Sequence, residues 1–275
     1  MYEFPASIVP LVNRLVHKEE YRKKINKNAE AVFRFLSQGP VDPLISETAF
    51  DVVKYLWPFR TCVDSQFVAD IFLCDAPKKL PPKRQILDEN HVNTGYSYPC
   101  KSLVVYRKQE FLKVFIHESF HYLGLDKCVA EKKLLDMFTI PIDVSVREAY
   151  CEFWARTIQC DLLGGLQKER AHSVRNMVRV LRHMGLKYSD LWGAKGRTYA
   201  ENTNVFAYVV LTAILMHTHK AFADACPRFV CDVETLLRFV RANYRAPTFL
   251  RRVERAESEP SETGAFRMSV VELKL

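Results

Sequence analysis

The pentapeptide His117-Glu118-Ser119-Phe120-His121 limits what this chain can fold into more than any other stretch of it. Residues four apart lie on the same face of an α-helix, so both imidazole rings can reach one metal ion. Apolar residues recur at helical spacing through the same stretch, and Gly124 follows where a helix would end. We therefore predict a helix from about Arg107 to Leu123, with both histidines as zinc ligands on one side.

A second predicted helix, from Ser145 to Leu163, carries Glu148 and Glu152, which are again four residues apart. A catalytic zinc ion usually takes three protein ligands and leaves a fourth position for water. We expect Glu148 to be the third ligand. The carboxylate of Glu152 would then accept the free ring N–H of a ligating histidine, and this bond fixes the orientation of the ring.

Less specific explanations remain open for each of these residues. Two histidines can lie on an amphipathic helix without binding anything. Ser145 and Glu148 match the spacing of a capping box, in which the acid satisfies a backbone N–H group at the start of the helix. Glu152 can be a solvated helix acid. A measurement of bound metal separates these explanations from a zinc site.

The stretch from His117 to Lys127 resembles the metzincin pattern HExxHxxGxxH as far as Gly124. Lys127 stands where a metzincin has its last histidine, and a protonated lysine cannot bind zinc. Asp126 is one residue out of register, and Met137 matches a Met-turn poorly. A metzincin arrangement of ligands is therefore the weaker alternative.

An HExxH motif followed by a helix with ExxxE is similar to the gluzincin class of zinc metallopeptidases, which pairs HExxH with ExxxD. Glu152 stands where that class has an aspartate. Four stretches also resemble uncharacterised metallopeptidases encoded by large double-stranded DNA viruses of eukaryotes: Val104 to Arg107, Lys113 to Glu118, Gly124 to Asp126 and Glu148 to Ala155. The resemblance covers roughly Asn93 to Tyr208. It implies a zincin-like peptidase fold with the metal at the base of a cleft, and it leaves the substrate open.

Zinc chemistry assigns a role to Glu118 and requires one further group. A bound zinc ion activates water and polarises the scissile carbonyl. Glu118 would take the proton of that water and pass it to the leaving amine. The transition-state oxyanion needs a donor from beyond the ligands, commonly a Tyr, His or Arg. Tyr208 and His217 are candidates, and three further residues are available: Tyr199, His219 and Arg197.

Length and composition indicate a chain that can bury a full core without disulfides. It has 275 residues, 48% of them hydrophobic, and no secretory signal is recognisable from Met1 to Pro5. The longest apolar run, Val205 to Met216, is too short to span a membrane and predicts a buried helix. We expect the eight cysteines to be reduced and mostly buried, in an intracellular or virion-associated protein.

The formal net charge is +8, and the positive residues are partly clustered. The clusters lie at Arg22 to Lys27, Lys78 to Arg84 and Arg241 to Arg255. Such patches attract nucleic acid or an acidic protein surface. No aromatic interleaving or nucleic-acid motif accompanies the charge, so a solvated exterior is the favoured explanation. Binding to nucleic acid or to an acidic partner is the alternative, and no membrane contact is expected.

We divide the chain into an N-terminal helical region at 1–60, a part with the sheet and the HExxH helix at 61–143, a helical part with the third ligand at 144–255, and a flexible tail at 256–275. The clearest N-terminal helix is expected from Lys18 to Leu36. Strands are expected near Phe67 to Cys74 and Lys101 to Tyr106. The tail alternates from Phe266 to Leu273, which favours an added edge strand or docking on a partner.

These expectations describe an α+β zincin-like fold, in which a small sheet supports the metal helix and a mostly helical C-terminal half contributes Glu148. The expected function is zinc-dependent hydrolysis of peptide bonds. The extended segment adjoining Asn93 to Gly95 is a candidate cleft edge, along which a peptide substrate lies antiparallel. The alternative is a non-catalytic structural or adaptor protein that keeps a zincin architecture as an interaction scaffold.

Overall fold

The computed structural model describes residues 2–127, 137–260 and 264–273. It is a mixed α+β structure with a five-stranded open sheet, and about half of it is helical. The α+β class predicted from the sequence is therefore confirmed. The contacts between Cα atoms divide the chain into two compact units, one with residues 1–77, 93–127 and 272–275 and the other with residues 78–92 and 128–271.

The helices and strands follow one another along the chain as α1 (Val9–Val12), β1 (His17–Asn26), β2 (Ala29–Ser37), α2 (Pro43–Leu56), β3 (Gln66–Phe72), α3 (Glu89–Val92), β4 (Gly95–Tyr98), β5 (Ser102–Val105), α4 (Phe111–Leu123), α5 (Val146–Leu163), α6 (Leu166–His183), α7 (Thr212–His217), α8 (His219–Ala225), α9 (Val233–Asn243) and α10 (Pro247–Ser258). Short 3-10 turns lie at Trp57–Phe59, Tyr188–Trp192, Ala194–Thr198 and Pro227–Phe229. A π-helical segment at Ala207–Leu211 leads directly into α7.

The first unit is built on the sheet, whose strands lie in the order β1-β2-β3-β5-β4. β2, β3 and β5 run parallel to one another in the middle of the sheet. β1 pairs antiparallel with β2, and β4 pairs antiparallel with β5. The strands β1 and β4 therefore form the two edges.

Both faces of this sheet are covered by apolar side chains. On one face Phe33 and Phe67 pack against Phe115 of α4, with ring centroids 5.9 and 6.0 Å apart. On the other face the N-terminal segment places Phe4 against Phe72, at 5.0 Å. Burial on two faces explains why β2 and β3 are apolar along most of their length.

The helix predicted from Lys18 to Leu36 is wrong, because this stretch forms the β1–β2 hairpin. The charged residues of β1 favour helices in isolation, and they lie here along an exposed sheet edge, where charge discourages pairing with other chains. β2 is buried on both faces, so its apolar residues do not alternate clearly. The turn between the strands is held by the Asn28 amide, which donates to Oδ1 of Asn26 at 2.9 Å.

The helix predicted from about Arg107 to Leu123 is confirmed as α4, although it begins at Phe111. It ends at Gly124, whose φ of +68° is a left-handed conformation that glycine adopts readily. A Cβ at this position would lie 2.2 Å from Oγ1 of Thr61. The predicted strands before it are confirmed as β3 and β5.

The expectation that the cysteines are reduced is wrong for Cys62 and Cys100, which form a disulfide with Cα atoms 5.6 Å apart. Both lie beside the end of α4. Backbone amides of Thr61 and Cys100 donate to the carbonyls of Leu123 and Tyr122, each at 2.9 Å, which brings the two thiols together. The other described cysteines are reduced and buried, as predicted: Cys74, Cys151, Cys160, Cys226 and Cys231. Cys128 lies outside the described residues.

The second unit is mostly helical, as predicted for 144–255, and its core surrounds the apolar run from Val205 to Met216. Every residue of that run except Tyr208 is buried. The buried helix predicted for Val205 to Met216 is divided between the π-helical segment and α7. Among the described residues, every helix is too short or too polar to span a bilayer.

Of the two expectations for Phe266 to Leu273, the added edge strand does not form. Residues 264–271 instead pack as irregular chain against side chains of α5 and α6. The backbone amide and hydroxyl of this segment meet Glu169, with the Ser269 Oγ and Val270 N atoms each 3.0 Å from Oε2. Phe266 and Ser269 are fully buried. The polar groups of this segment find their partners on α5 and α6 instead of at a sheet edge.

Candidate metal centre

The two histidines of the motif converge within α4. His117 and His121 lie one helical turn apart, and their Nε2 atoms are 3.2 Å from each other. Twelve of the thirteen residues of α4 are buried, His117 among them, and the side chain of His121 is 15% exposed. The helix therefore presents two ring nitrogens toward one point in a largely dry environment, as the spacing predicts.

Asp126 fixes the orientation of the second histidine ring. Its Oδ2 atom lies 2.7 Å from Nδ1 of His121. The left-handed turn at Gly124 reverses the chain and brings Asp126 back beside the helix. A carboxylate on Nδ1 directs the lone pair of Nε2 outward, which is the arrangement found behind histidines that bind metals. The sequence suggests Asp126 only as a misplaced ligand, and the signal for its orienting role is an acid two residues after a helix-ending glycine.

Glu118 lies on the same helix with a defined partner. The hydroxyl of Ser97, in the edge strand β4, donates to Oε2 of Glu118 at 2.8 Å. Glu118 is 8% exposed, so its carboxylate is held mainly by protein groups. Sequence reasoning did not identify Ser97, because no motif links a strand serine to an acid 21 residues away.

Gly95 allows β4 to approach α4 closely. A Cβ at Gly95 would lie 2.6 Å from the carbonyl oxygen of Val104 and 3.2 Å from Cγ of Glu118. The first of these distances is shorter than any real contact of this kind, so a larger residue would push the strand away. The bare backbone at Gly95 therefore sets the spacing between the edge strand and Glu118.

Helix α5, in the second unit, carries Glu148 near its start. Ser145 is the N-cap residue, and its Oγ accepts from the Glu148 amide at 3.4 Å. This bond is one half of the capping box that the sequence offered as an alternative explanation. It involves the backbone of Glu148, so the half-buried carboxylate is not committed by it.

Glu152 belongs to a buried ion-pair network in the second unit. Nε of Arg156 donates to its Oε1 at 2.9 Å, and both side chains are 1% exposed. The same guanidinium lies 3.4 Å from Glu169 and donates to Oγ of Ser173 at 2.8 Å. The alternative of a solvated helix acid is therefore wrong for Glu152, because its carboxylate is buried and paired.

The two first candidates for an oxyanion donor, Tyr208 and His217, both lie in the second unit. Tyr208 is in the π-helical segment, and its carbonyl accepts from Arg156. Nε2 of His217 lies 3.1 Å from Oγ1 of Thr248. Burial, followed by the nearby positive charges of Arg252 and Arg170, lowers the pKa of His217 to about 4. His217 is therefore neutral near pH 7.

The remaining donor candidates differ in their surroundings. Tyr199 is fully buried and donates to Oε2 of Glu201 at 2.5 Å, so its hydroxyl already has an acceptor. His219 lies 3.1 Å from Oγ1 of Thr157, and burial lowers its pKa. Arg197 is exposed. The choice of donor stays a prediction.

The alternative arrangement of metzincin type gains no support from this geometry. Lys127 is exposed, and Asp126 faces Nδ1 of His121, the nitrogen on the far side of the ring from Nε2. Met137 is buried, and residues 134–136 before it lie outside the described residues. Comparison with protein-family models, curated proteins and solved structures finds no match for the chain.

Proposed function

We propose that the chain is a zinc-dependent metallopeptidase of gluzincin-like type. The observation that carries the proposal is the approach of the Nε2 atoms of His117 and His121 to 3.2 Å, with Asp126 on the far side of the second ring. Two imidazole lone pairs that face each other repel unless a proton or a cation lies between them. A divalent cation satisfies both at once.

The proposed donor set fits zinc. Each of the three proposed ligands offers a suitable atom, a ring nitrogen from His117 and His121 and a carboxylate oxygen from Glu148. Imidazole and carboxylate are common ligands of zinc in catalytic sites. Glu152 is proposed to orient a ligating ring as well, since one carboxylate can accept several hydrogen bonds.

A zinc ion held in this way would supply a Lewis acid and an activated water. The residues of the chain supply the rest of the chemistry. The Glu118 carboxylate takes the proton of the water and returns it to the leaving amine. Tyr208 or His217 donates to the oxyanion of the transition state. β4 is an edge strand of the sheet, and we propose that a peptide substrate pairs antiparallel with its outer side.

Metal content tests the ligands. We expect about one zinc ion per chain in the purified protein, as in other three-ligand sites, and loss of that zinc in the His121→Ala and Glu148→Ala variants. His17→Ala is the matched control, because His17 lies on the edge strand β1 and is partly exposed. Wild-type protein without zinc, or zinc content that is unchanged in His121→Ala, would reject the proposed site.

Peptide cleavage tests the function. We expect hydrolysis of a mixed peptide library that a chelator abolishes and added zinc restores. Glu118→Gln should keep the zinc and lose turnover, while Glu254→Gln on the exposed face of α10 should keep both. Stoichiometric zinc without cleavage of any peptide would favour the scaffold alternative over the enzyme.

A further inference from the structure

The edge strand β4 meets the proposed general base at two points on one of its faces. Gly95 and Ser97 are two residues apart, so both point to the same side of the strand. Gly95 leaves room for Cγ of Glu118, and Ser97 donates to its Oε2 at 2.8 Å. Gly95 therefore sets the distance from the strand to the Glu118 side chain, and Ser97 binds its carboxylate.

We propose that Ser97 is a positioning residue, which holds the Glu118 carboxylate in the orientation needed for proton transfer. This inference rests on the proposed function. A glutamate side chain has three rotatable bonds, and α4 fixes only the start of it. A hydroxyl that donates to a carboxylate makes a strong, short hydrogen bond. Ser97 thereby selects one orientation of Glu118, without taking part in the reaction.

The strand is itself anchored, which makes it a suitable support. β4 is paired with β5 through Ser97 and Leu103. At its end, the Lys101 amide donates to the Tyr98 carbonyl at 3.0 Å, and the Cys100 amide donates to the Tyr122 carbonyl of α4 at 2.9 Å. The disulfide from Cys100 to Cys62 fastens the same turn. The register between Ser97 and Glu118 is therefore fixed by contacts on both sides of the serine.

Three substitutions separate the hydroxyl from the shape of the side chain. Ser97→Thr keeps the hydroxyl, Ser97→Val has the shape of threonine without it, and Ser97→Ala removes it with the least bulk. A β-branched residue suits a strand. We expect kcat to fall about 10- to 100-fold in the Val and Ala variants, the loss that corresponds to one hydrogen bond to a charged group. The Thr variant should stay within about threefold of the wild type, since it keeps that bond.

KM and zinc content should stay unchanged in all three variants, because Ser97 is proposed to touch neither substrate nor metal. A Val variant with the kcat of the Thr variant would overturn the proposal. The proposal would also be overturned if the Val and Ala variants lost zinc or failed to fold as well as losing kcat, since that result assigns Ser97 a structural role.

Crystal structures of the same variants test the inference without any activity. We expect the Glu118 carboxylate in one orientation in the wild type and the Thr variant, and in several orientations in the Val and Ala variants. An inactive wild type would reject the proposed function, and a single unchanged orientation in the Val variant would reject the positioning role. The two failures are therefore distinguishable.

Discussion

Helices α4 and α5 each carry titratable side chains one helical turn apart, and the two helices hold them in different ways. In α5 the carboxylate of Glu152 is neutralised by Arg156, one turn further along the same helix. In α4 the partners come from other segments and orient the side chains: Asp126 orients His121, and Ser97 orients Glu118. The comparison shows that the α5 contact neutralises a buried charge, whereas the α4 contacts fix the orientation of side chains, which is what the proposed metal site requires.

The largest effect is expected from removing the cation of the α5 network. Arg156→Met leaves the buried carboxylates of Glu152 and Glu169 without their guanidinium. We expect the free energy of unfolding to fall by about 3–5 kcal/mol, as measured by urea denaturation. The control is Lys220→Met, which breaks an exposed pair of the same spacing with Asp224 and should change stability little. Equal effects of the two variants would contradict the distinction.

A pH test contrasts Glu152, which is paired with a cation, with Glu201, whose hydrogen-bond partners are neutral. Glu201 accepts from the Tyr199 hydroxyl and the Phe206 amide, and burial raises its pKa from 4.5 to about 7. The raised pKa means that the folded state holds a proton that the unfolded state loses. The free energy of unfolding should therefore fall as the pH rises from about 4.5 to 7, by about 3 kcal/mol at most. Glu201→Gln should remove this slope, and an identical slope in the variant would assign it to other groups.

On α4, the orienting role of Asp126 is expected to affect binding more than stability. Asp126→Asn keeps the shape of the side chain and removes the charge that holds Nδ1–H of His121. We expect zinc affinity to fall about 10- to 100-fold, as measured by competition with a chelator. Asp224→Asn, a surface change of the same type, serves as the control. Unchanged affinity in Asp126→Asn would show that the ring is oriented by other contacts.

The smallest effect concerns how the two helices begin. Helix α5 is capped locally, by the side chain of Ser145 just before it. At the start of α4 the partner is distant in sequence, since the amide of Glu110 donates to Oε1 of Glu272 at 2.9 Å. Ser145→Ala should lower the free energy of unfolding by about 1 kcal/mol, and Ser145→Asp should restore it. Thermal or urea unfolding measures both, and no loss in Ser145→Ala would mean that water replaces the cap.

The features predicted correctly from the sequence are those with local causes. Helix α4 follows from apolar spacing and from Gly124, and β5 follows from its run of β-branched residues. The buried pair of Glu152 and Arg156 also has a local signature, since a glutamate four residues before an arginine favours a helix. The same glutamate also fits a metal site or a solvated helix face, so this signature does not by itself select the pair with Arg156.

The features that were missed depend on segments far apart in the chain. The β1–β2 hairpin is specified by pairing with β3, which the charged sequence of β1 does not reveal. Ser97 reaches Glu118, and Cys62 reaches Cys100, only after the sheet has placed β4 beside α4. Tertiary contacts of this kind override local propensity, and composition alone does not predict them.

The disulfide between Cys62 and Cys100 encloses a covalent ring of chain, and residues 78–92, which belong to the second unit, lie within it. The polypeptide thus leaves the first unit and returns to it inside a single closed loop. A protease that cuts the chain once between residues 78 and 92 produces two fragments that still migrate together in a denaturing gel until a reductant is added.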